Sequence, residues 1–235
     1  MMQMFEDVKK IPGAISMTES VGIYRTVIGS LQGDPHGVAV DLGSNAGKSS
    51  IVGAKALADV GFKGRFFMVD LAYDLMNPEW KHTTQGDADL MPWGYLREPN
   101  AKATIKKRVE KYYPHVVLAG LSSIQFLSQA KGPVSYAFID SDDHQVELVH
   151  QEVRMLEHLV SPGGLVFFHD FRNQYIGPAK AYEYLISTGK YEAIEIDWKS
   201  AIEYAKENKL EDGNDSWHMP GVDFPIFVGC VRRKQ

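Results

Sequence analysis

The sequence predicts an α/β fold: a sheet of seven strands, mostly parallel, with helices on both faces. Two observations carry the prediction. Short apolar runs alternate with helix-like stretches almost throughout the chain. Continuous apolar strands separated by helices belong to a parallel sheet that is covered on both sides. The pattern breaks only at the end, where two strands follow one another without a strongly periodic helix between them. A length of 235 residues suits one such domain.

A helical lead-in over residues 1–36, with its main helix starting near Met17, precedes the first strand, Val38–Leu42. A glycine turn then enters a helix at Lys48. The second strand, Arg65–Asp70, is followed by an irregular stretch over 74–100 that contains Trp80, Trp93 and Tyr95. Loops of that length and aromatic content serve as lids or binding elements, so this one is read as a substrate-covering element. A helix from Ala101 leads to the third strand, Val116–Gly120, and a helix from Ser122 leads to the fourth, Val134–Asp140. The clearest helix spans 143–160, where Val146, Val149, Val153, Leu156 and Val160 recur at three- and four-residue steps. His150 and His158 fall on its other side with Glu147 and Arg154, which makes them solvent-facing rather than metal ligands. A fifth strand, Leu165–Asp170, and a helix from Pro178 follow. The last strands are Glu192–Trp198 and Phe224–Val231, separated by a charged insert over 199–222 with a helix near Ser200.

Composition excludes several functions. The 25 basic and 30 acidic residues give a net charge of −5, whereas a nucleic-acid binder needs clustered Lys and Arg to displace counterions. The one basic cluster, KATIKKRVEKYY, reads as the solvated face of a helix. The single cysteine, Cys230, lies in the apolar run FPIFVGCV and is expected to be a buried, inert thiol in a reducing compartment. The N-terminus lacks the layout of a signal peptide, and no apolar run approaches membrane-spanning length. The expectation is a soluble cytoplasmic protein with neither a nucleic-acid nor a membrane partner; self-association into a homo-oligomer is left open.

The turn in VAVDLGSNAGKSS looks like a phosphate-binding loop, but Gly43 and Gly47 enclose only Ser44, Asn45 and Ala46, one residue short of the P-loop spacing. In an open α/β sheet the ligand sits beyond the carboxyl ends of the strands. Of the first five strands, four end on a carboxylate: Asp41, Asp70, Asp140 and Asp170. A phosphate would be repelled there unless metals intervened. A ligand with a sulfonium, an amino group and a ribose suits the site better. Asp70 is placed to accept the ribose hydroxyl protons, a role that serves the ribose of NAD equally well.

These segments resemble class I S-adenosylmethionine-dependent methyltransferases, whose sheet is Rossmann-like and ends in an antiparallel β-hairpin. VAVDLGSNAGKSS resembles their first motif, FFMVD the second, AGLSS the third, and YAFIDSDDH through SPGGLVFFHDF the fourth and fifth. The upstream IPGAISMTESVGIYRTVIGSL resembles the helix before the first motif in the metal-dependent O-methyltransferases. That subgroup includes catechol, caffeoyl-CoA and macrocin-type enzymes. The likeness covers roughly residues 11–172 in order.

The resemblance implies an S-adenosylmethionine site built by Met17, Asp41, Gly43, Ser44, Gly47, Ser49, Asp70, Ser122 and Asp140, with Lys48 a bystander. It implies a divalent cation, magnesium, manganese or a softer ion, held by Asp140, His169 and Asp170. Such an ion lowers the pKa of an acceptor hydroxyl and fixes its position. Two departures stand out. The family's pair closing the fifth strand is usually Asp-Asp or Asp-Asn, so His169 is either a nitrogen ligand or a general base without metal. The segment DSDDH is one residue longer than the family's, so its base maps to Asp142 or Asp143, with Asp142 preferred. Asp142 also has capping-box spacing to Gln145.

The implied activity is O-methylation of a small hydroxylated molecule. Cephalosporin-hydroxylation components and rhamnosyl O-methyltransferases share the likeness, and a non-catalytic S-adenosylmethionine-binding scaffold of the same fold is a further alternative. An NAD-dependent oxidoreductase is disfavoured, because the loop is not G-x-G-x-x-G and no Tyr-x-x-x-Lys pair follows.

Overall fold

The chain enters through two helices, α1 (Met2–Lys9) and α2 (Met17–Ser30), and then alternates. β1 (Val38–Leu42) leads to α3 (Lys48–Asp59), and β2 (Arg65–Val69) to the short α4 (Ala72–Leu75). Next come α5 (Ala101–Glu110), β3 (Val116–Ala119), α6 (Ser123–Gln129), β4 (Val134–Ile139) and α7 (Val146–Leu159). The chain ends with β5 (Val160–Phe168), α8 (Ile176–Ser187), β6 (Tyr191–Ala193), α9 (Trp198–Glu207) and β7 (Gly229–Arg233). The computed structural model describes residues 1–11, 15–75, 100–141, 145–171, 176–210 and 228–235.

The strands form one seven-stranded sheet in the order β3-β2-β1-β4-β5-β7-β6. β1 pairs in parallel with both β2 and β4, β2 with β3, and β4 with β5. β7 runs antiparallel to both β5 and β6, which supplies the reversed hairpin at the end. Side chains alternate between the two faces with the period of two that a strand imposes. Ala39, Phe66, Met68, Tyr136, Phe138, Leu165 and Phe167 pack with α1, α2, α3, α5 and α9 in one buried cluster. Val40, Leu42, Val69, Ala137, Ile139, Val166 and Phe168 pack with α6, α7 and α8 in the other. Burying each large apolar side chain stabilises the fold by about 1.5–3 kcal/mol, so the two layers fix the sheet between them.

Several boundaries differ from the sequence reading, each for a local reason. The sixth strand stops at Ala193 rather than Trp198, because the Asp197 side chain accepts from Ser200 N and caps α9. The fifth strand starts at Val160 rather than Leu165. The Ser161-Pro162-Gly163-Gly164 stretch has turn composition but lies within the strand, where the pairing register to β4 shifts between Val134 and Tyr136. The last strand is shifted towards the C-terminus, to Gly229–Arg233, and the part of it expected before 228 lies outside the described residues. The helix expected from Asp143 begins at Val146 with Gln145 at its N-cap position, and Asp142, whose spacing suggested a capping box, lies outside the described residues. The substrate-covering stretch 74–100 lies almost wholly outside the described residues, as does most of the 199–222 insert beyond α9.

Strand order reverses between β1 and β4, since α3 and α7 return over opposite faces of the sheet. At such a switch point the two loops part and leave a crevice at the carboxyl ends. Here the parting is tight. Gly43 has φ +82°, and a Cβ added to it would lie 2.0 Å from the carbonyl oxygen of Asp140. Gly43→Ala should therefore lower unfolding free energy by roughly 2–4 kcal/mol, combining left-handed strain with overpacking. Gly61→Ala has a similar φ of +76° but nothing within 4 Å, and should cost only about 1 kcal/mol. Urea unfolding of both variants checks the difference; equal midpoints would show that the approach of β1 to β4 is not the constraint.

Candidate active site

The turn after β1 is tied to the end of β2. Gly43 N and Ser44 N donate to Val69 O at 2.9 and 3.3 Å, and Gly47 N donates to Ser44 O at 2.8 Å. Asn45, with a left-handed φ of 43°, donates its backbone N–H to Asp70 Oδ2 at 2.8 Å. Ala72 N donates to Asp70 Oδ1, also at 2.8 Å, so two amides orient the Asp70 carboxylate at the carboxyl edge of β2. Tyr73 closes the arrangement from α4: its hydroxyl donates to Asn45 O at 2.7 Å and lies 3.0 Å from Ser44 Oγ. The left-handed Gly47 (φ +85°) is the N-cap of α3, and Lys48, the expected bystander, is the buried first residue of that helix.

Asp41 is buried beneath this turn. Its Oδ2 accepts from Ser49 Oγ at 2.8 Å and Ser50 Oγ at 2.5 Å, while Oδ1 has no hydrogen-bond partner among the described residues. Burial pushes the carboxyl up to about 7 against the two serine hydrogen bonds, with help from the nearby Asp140 and Asp70 charges. Asp41 therefore faces the inner hydroxyls of α3, and Ser49 is occupied with it.

The second half of the site stands at the ends of β4 and β5. His169 N donates to Ile139 O at 3.0 Å, which sets the backbone of the β5 tip beside Asp140. His169 is buried, and its Nδ1 lies 3.0 Å from Asp140 Oδ1 and 3.4 Å from Asp170 Oδ2. Its Nε2 lies 3.9 Å from Glu19 Oε2, on the first turn of α2. Burial alone would push this imidazole down, but Asp140, Asp170 and Glu19 together hold it well above the usual histidine range. Asp170 adopts a left-handed φ of 53°, uncommon for a residue with a Cβ, at the point where the chain leaves β5.

Asp140, His169 and Asp170 each offer one ligand atom, and these atoms lie within 4.8 Å of one another. Ligands about 2.0–2.2 Å from one ion lie at most about 4.4 Å apart, so the separations of 3.0 and 3.4 Å from Nδ1 suit a shared cation. Two carboxylate oxygens and an imidazole nitrogen accept magnesium or manganese and also softer ions.

The structure thus brings Asp41, Gly43, Ser44, Gly47, Ser49 and Asp70 around one turn, and Asp140, His169 and Asp170 beside it. Ser122 is the N-cap of α6, accepting from Gln125 N at 3.1 Å. Met17 is buried in the apolar cluster under α2. Asp142 and Asp143, the two candidate bases, lie outside the described residues. Sequence reasoning missed Glu19 and Tyr73. Glu19 carried one signal, the Ser16-x-x-Glu19 capping box, and Tyr73 carried none. A cavity of about 690 Å³ lies elsewhere, between Val38, Phe67, Ala119 and Phe126. No helix among the described residues is long and apolar enough to cross a membrane.

Residues 40–171, more than half of the chain, match the family model described as a methyltransferase domain. A search of curated proteins found no match. Among solved structures, the O-methyltransferase from Bacillus cereus in complex with SAH is similar at TM-score 0.55 and 15% identity, covering 98% of this chain and 91% of that one. The O-methyltransferase NovP is similar at TM-score 0.54 and 13% identity, covering 92% and 80%. An rRNA methylase from Streptococcus thermophilus is similar at TM-score 0.52 and 10% identity, covering 91% and 95%. At these identities the structural likenesses establish the fold.

The burial of Asp41 has a measurable consequence. Its folded-state pKa of about 7 exceeds the ordinary 3.8, so the native state binds the extra proton and stability falls as pH rises between those values. The loss is on the order of 4 kcal/mol for the full shift. Asp41→Asn should flatten unfolding free energy between about pH 4 and 7 relative to the parent. Parallel curves for the two proteins across that window would rule out a protonated Asp41.

Proposed function

Since the chain belongs to the methyltransferase-domain family, we propose that it is an S-adenosylmethionine-dependent O-methyltransferase acting on a small hydroxylated molecule with a divalent cation. The observation that carries this reading is the convergence of the acidic tips. Asp70 is oriented beside the glycine turn, and Asp140, His169 and Asp170 gather next to it across the switch point. The SAH bound by the Bacillus cereus relative and the O-methyltransferase names of two structural neighbours support it.

Each part of the site has a task in that reaction. The turn from Gly43 to Gly47 lets the donor's amino-acid part approach the backbone, and the N-terminus of α3, beyond the turn amides that bond internally, favours its carboxylate. Asp70, already fixed by two amides, takes the ribose, since a carboxylate accepts up to about four hydrogen bonds. The surrounding carboxylates favour a positively charged sulfur. As the acceptor oxygen bonds to the methyl carbon, the carbon–sulfur bond breaks and the sulfur becomes neutral, while the acceptor's hydroxyl proton passes to a base, the role the family likeness gives to Asp142 or Asp143. Asp140, His169 and Asp170 would hold the cation, which supplies Lewis acidity towards the acceptor hydroxyl. Holding it requires His169 to surrender a proton at Nδ1.

One observation favours a metal-free variant of the same reaction. His169 is buried within ion-pair distance of three carboxylates, an arrangement that suits a protonated imidazole. In that case Asp140 and Asp170 orient the imidazole, and methyl transfer proceeds without metal.

Three measurements decide these points. Calorimetry should show S-adenosylmethionine binding that Asp70→Ala weakens by about 1–3 kcal/mol, the cost of unpairing the ribose hydroxyls. Undiminished affinity would remove Asp70 from the ribose. Asp140→Ala combined with Asp170→Ala should abolish manganese binding, and chelation should suppress transfer of labelled methyl groups to hydroxylated acceptors. Full activity in chelator would select the metal-free variant, and the absence of transfer with bound donor would point to a binding scaffold.

A further inference from the structure

Glu19 lies before the family-matched region, yet it reaches the site. Its residue is 2% exposed. Glutamate is almost never that buried unless it is paired, and the glutamate of a capping box does not need burial to cap. The capping box accounts for part of its bonding: Ser16 N donates to Glu19 Oε2 at 2.8 Å, and Glu19 N donates to Ser16 Oγ at 3.1 Å. The same Oε2 that closes the box lies 3.9 Å from His169 Nε2, an ion-pair distance. The opposite ring nitrogen faces Asp140 and Asp170 at 3.0 and 3.4 Å.

We infer that Glu19 is the positioning residue of this site: its carboxylate holds the Nε2–H of His169 and so presents Nδ1 to Asp140, Asp170 and the cation between them. The inference rests on the divalent-cation reading above. Its physical basis is that an imidazole can offer one nitrogen to an ion only while the other carries the proton, and an outer carboxylate fixes which is which. Turning the ring over would place carbon atoms against the carboxylates and forfeit these contacts at once. Capping thus acts as an anchor, because the start of α2 fixes the carboxylate that fixes the ring.

The test compares Glu19→Gln, Glu19→Leu and Ser16→Ala with the parent, using manganese titration calorimetry and nitrogen NMR of the His169 side chain. Glu19→Leu should weaken manganese binding by about 10–100-fold and remove the exchange-protected Nε2–H signal. Glu19→Gln retains an acceptor oxygen and a capping-box side chain, and should keep manganese affinity within a few-fold. Ser16→Ala removes the hydroxyl that accepts from Glu19 N but keeps the bond from Ser16 N to Glu19 Oε2, and should leave both readouts unchanged. The inference is overturned if Glu19→Leu keeps both the affinity and the Nε2–H signal, or if Ser16→Ala loses as much affinity as Glu19→Leu. A parent protein that binds no manganese overturns the cation reading instead, and loss or persistence of the Nε2–H signal in Glu19→Leu then decides the role of Glu19.

Discussion

Everything at the site depends on how closely the turn after β1 packs on the end of β4. The carbonyl of Asp140 occupies the space that a side chain at Gly43 would need, and Asp140 N in turn donates to Leu42 O. That approach sets the height of the Asp140 carboxylate relative to the glycine turn. It also lets β5 bring His169 and Asp170 alongside, through the bond from His169 N to Ile139 O. A wider turn would separate the two halves by more than a hydrogen bond can span. The glycine is a condition of the crevice as much as of the loop.

The same closeness has an electrostatic cost. Asp41, Asp70, Asp140, Asp170 and Glu19 all stand near the switch point, and two of the five are almost fully buried. The fold manages this in two ways. Asp41 is sheltered by two serine hydroxyls and held with a raised pKa, so its charge is suppressed near neutrality. Glu19, Asp140 and Asp170 surround the buried imidazole of His169, whose raised pKa supplies a compensating positive charge. Buried ion pairs seldom stabilise a fold over apolar packing, and this cluster is better understood as chemistry retained at a cost in stability.

How much of this was legible in the sequence follows from the range of the interactions. The β1 and β4 strands and the acids that end them could be read locally, because a buried parallel strand is a continuous apolar run and its tip is the next polar residue. The family likeness ordered those tips, and the observed strand order puts them side by side. What could not be read was anything set by contact across distant segments. Glu19 showed only a capping box, and nothing in its own neighbourhood announced that β5 would place a histidine against it. Tyr73 depends on the left-handed conformation of Asn45, which sequence does not display. The boundary errors have the same origin: Asp197 reads as a strand residue until it caps α9, and the Gly163–Gly164 pair reads as a turn until its strand pairs with β4.

The distribution of charge also bears on which ligand the crevice accepts. A nucleotide phosphate is bound where backbone amides and basic side chains converge without competing anions. Here the amides of the turn are used otherwise: Gly43 and Ser44 donate to Val69 O, Gly47 to Ser44 O, and Asn45 to the carboxylate of Asp70. Lys48, the residue that would serve a P-loop, is buried at the start of α3. With those donors committed and carboxylates at the tips of β2, β4 and β5, added negative charge meets repulsion and added positive charge meets compensation. A cationic sulfur nucleoside satisfies that field. The cation proposed at Asp140, His169 and Asp170 satisfies it on the opposite wall, where the acceptor oxygen must approach.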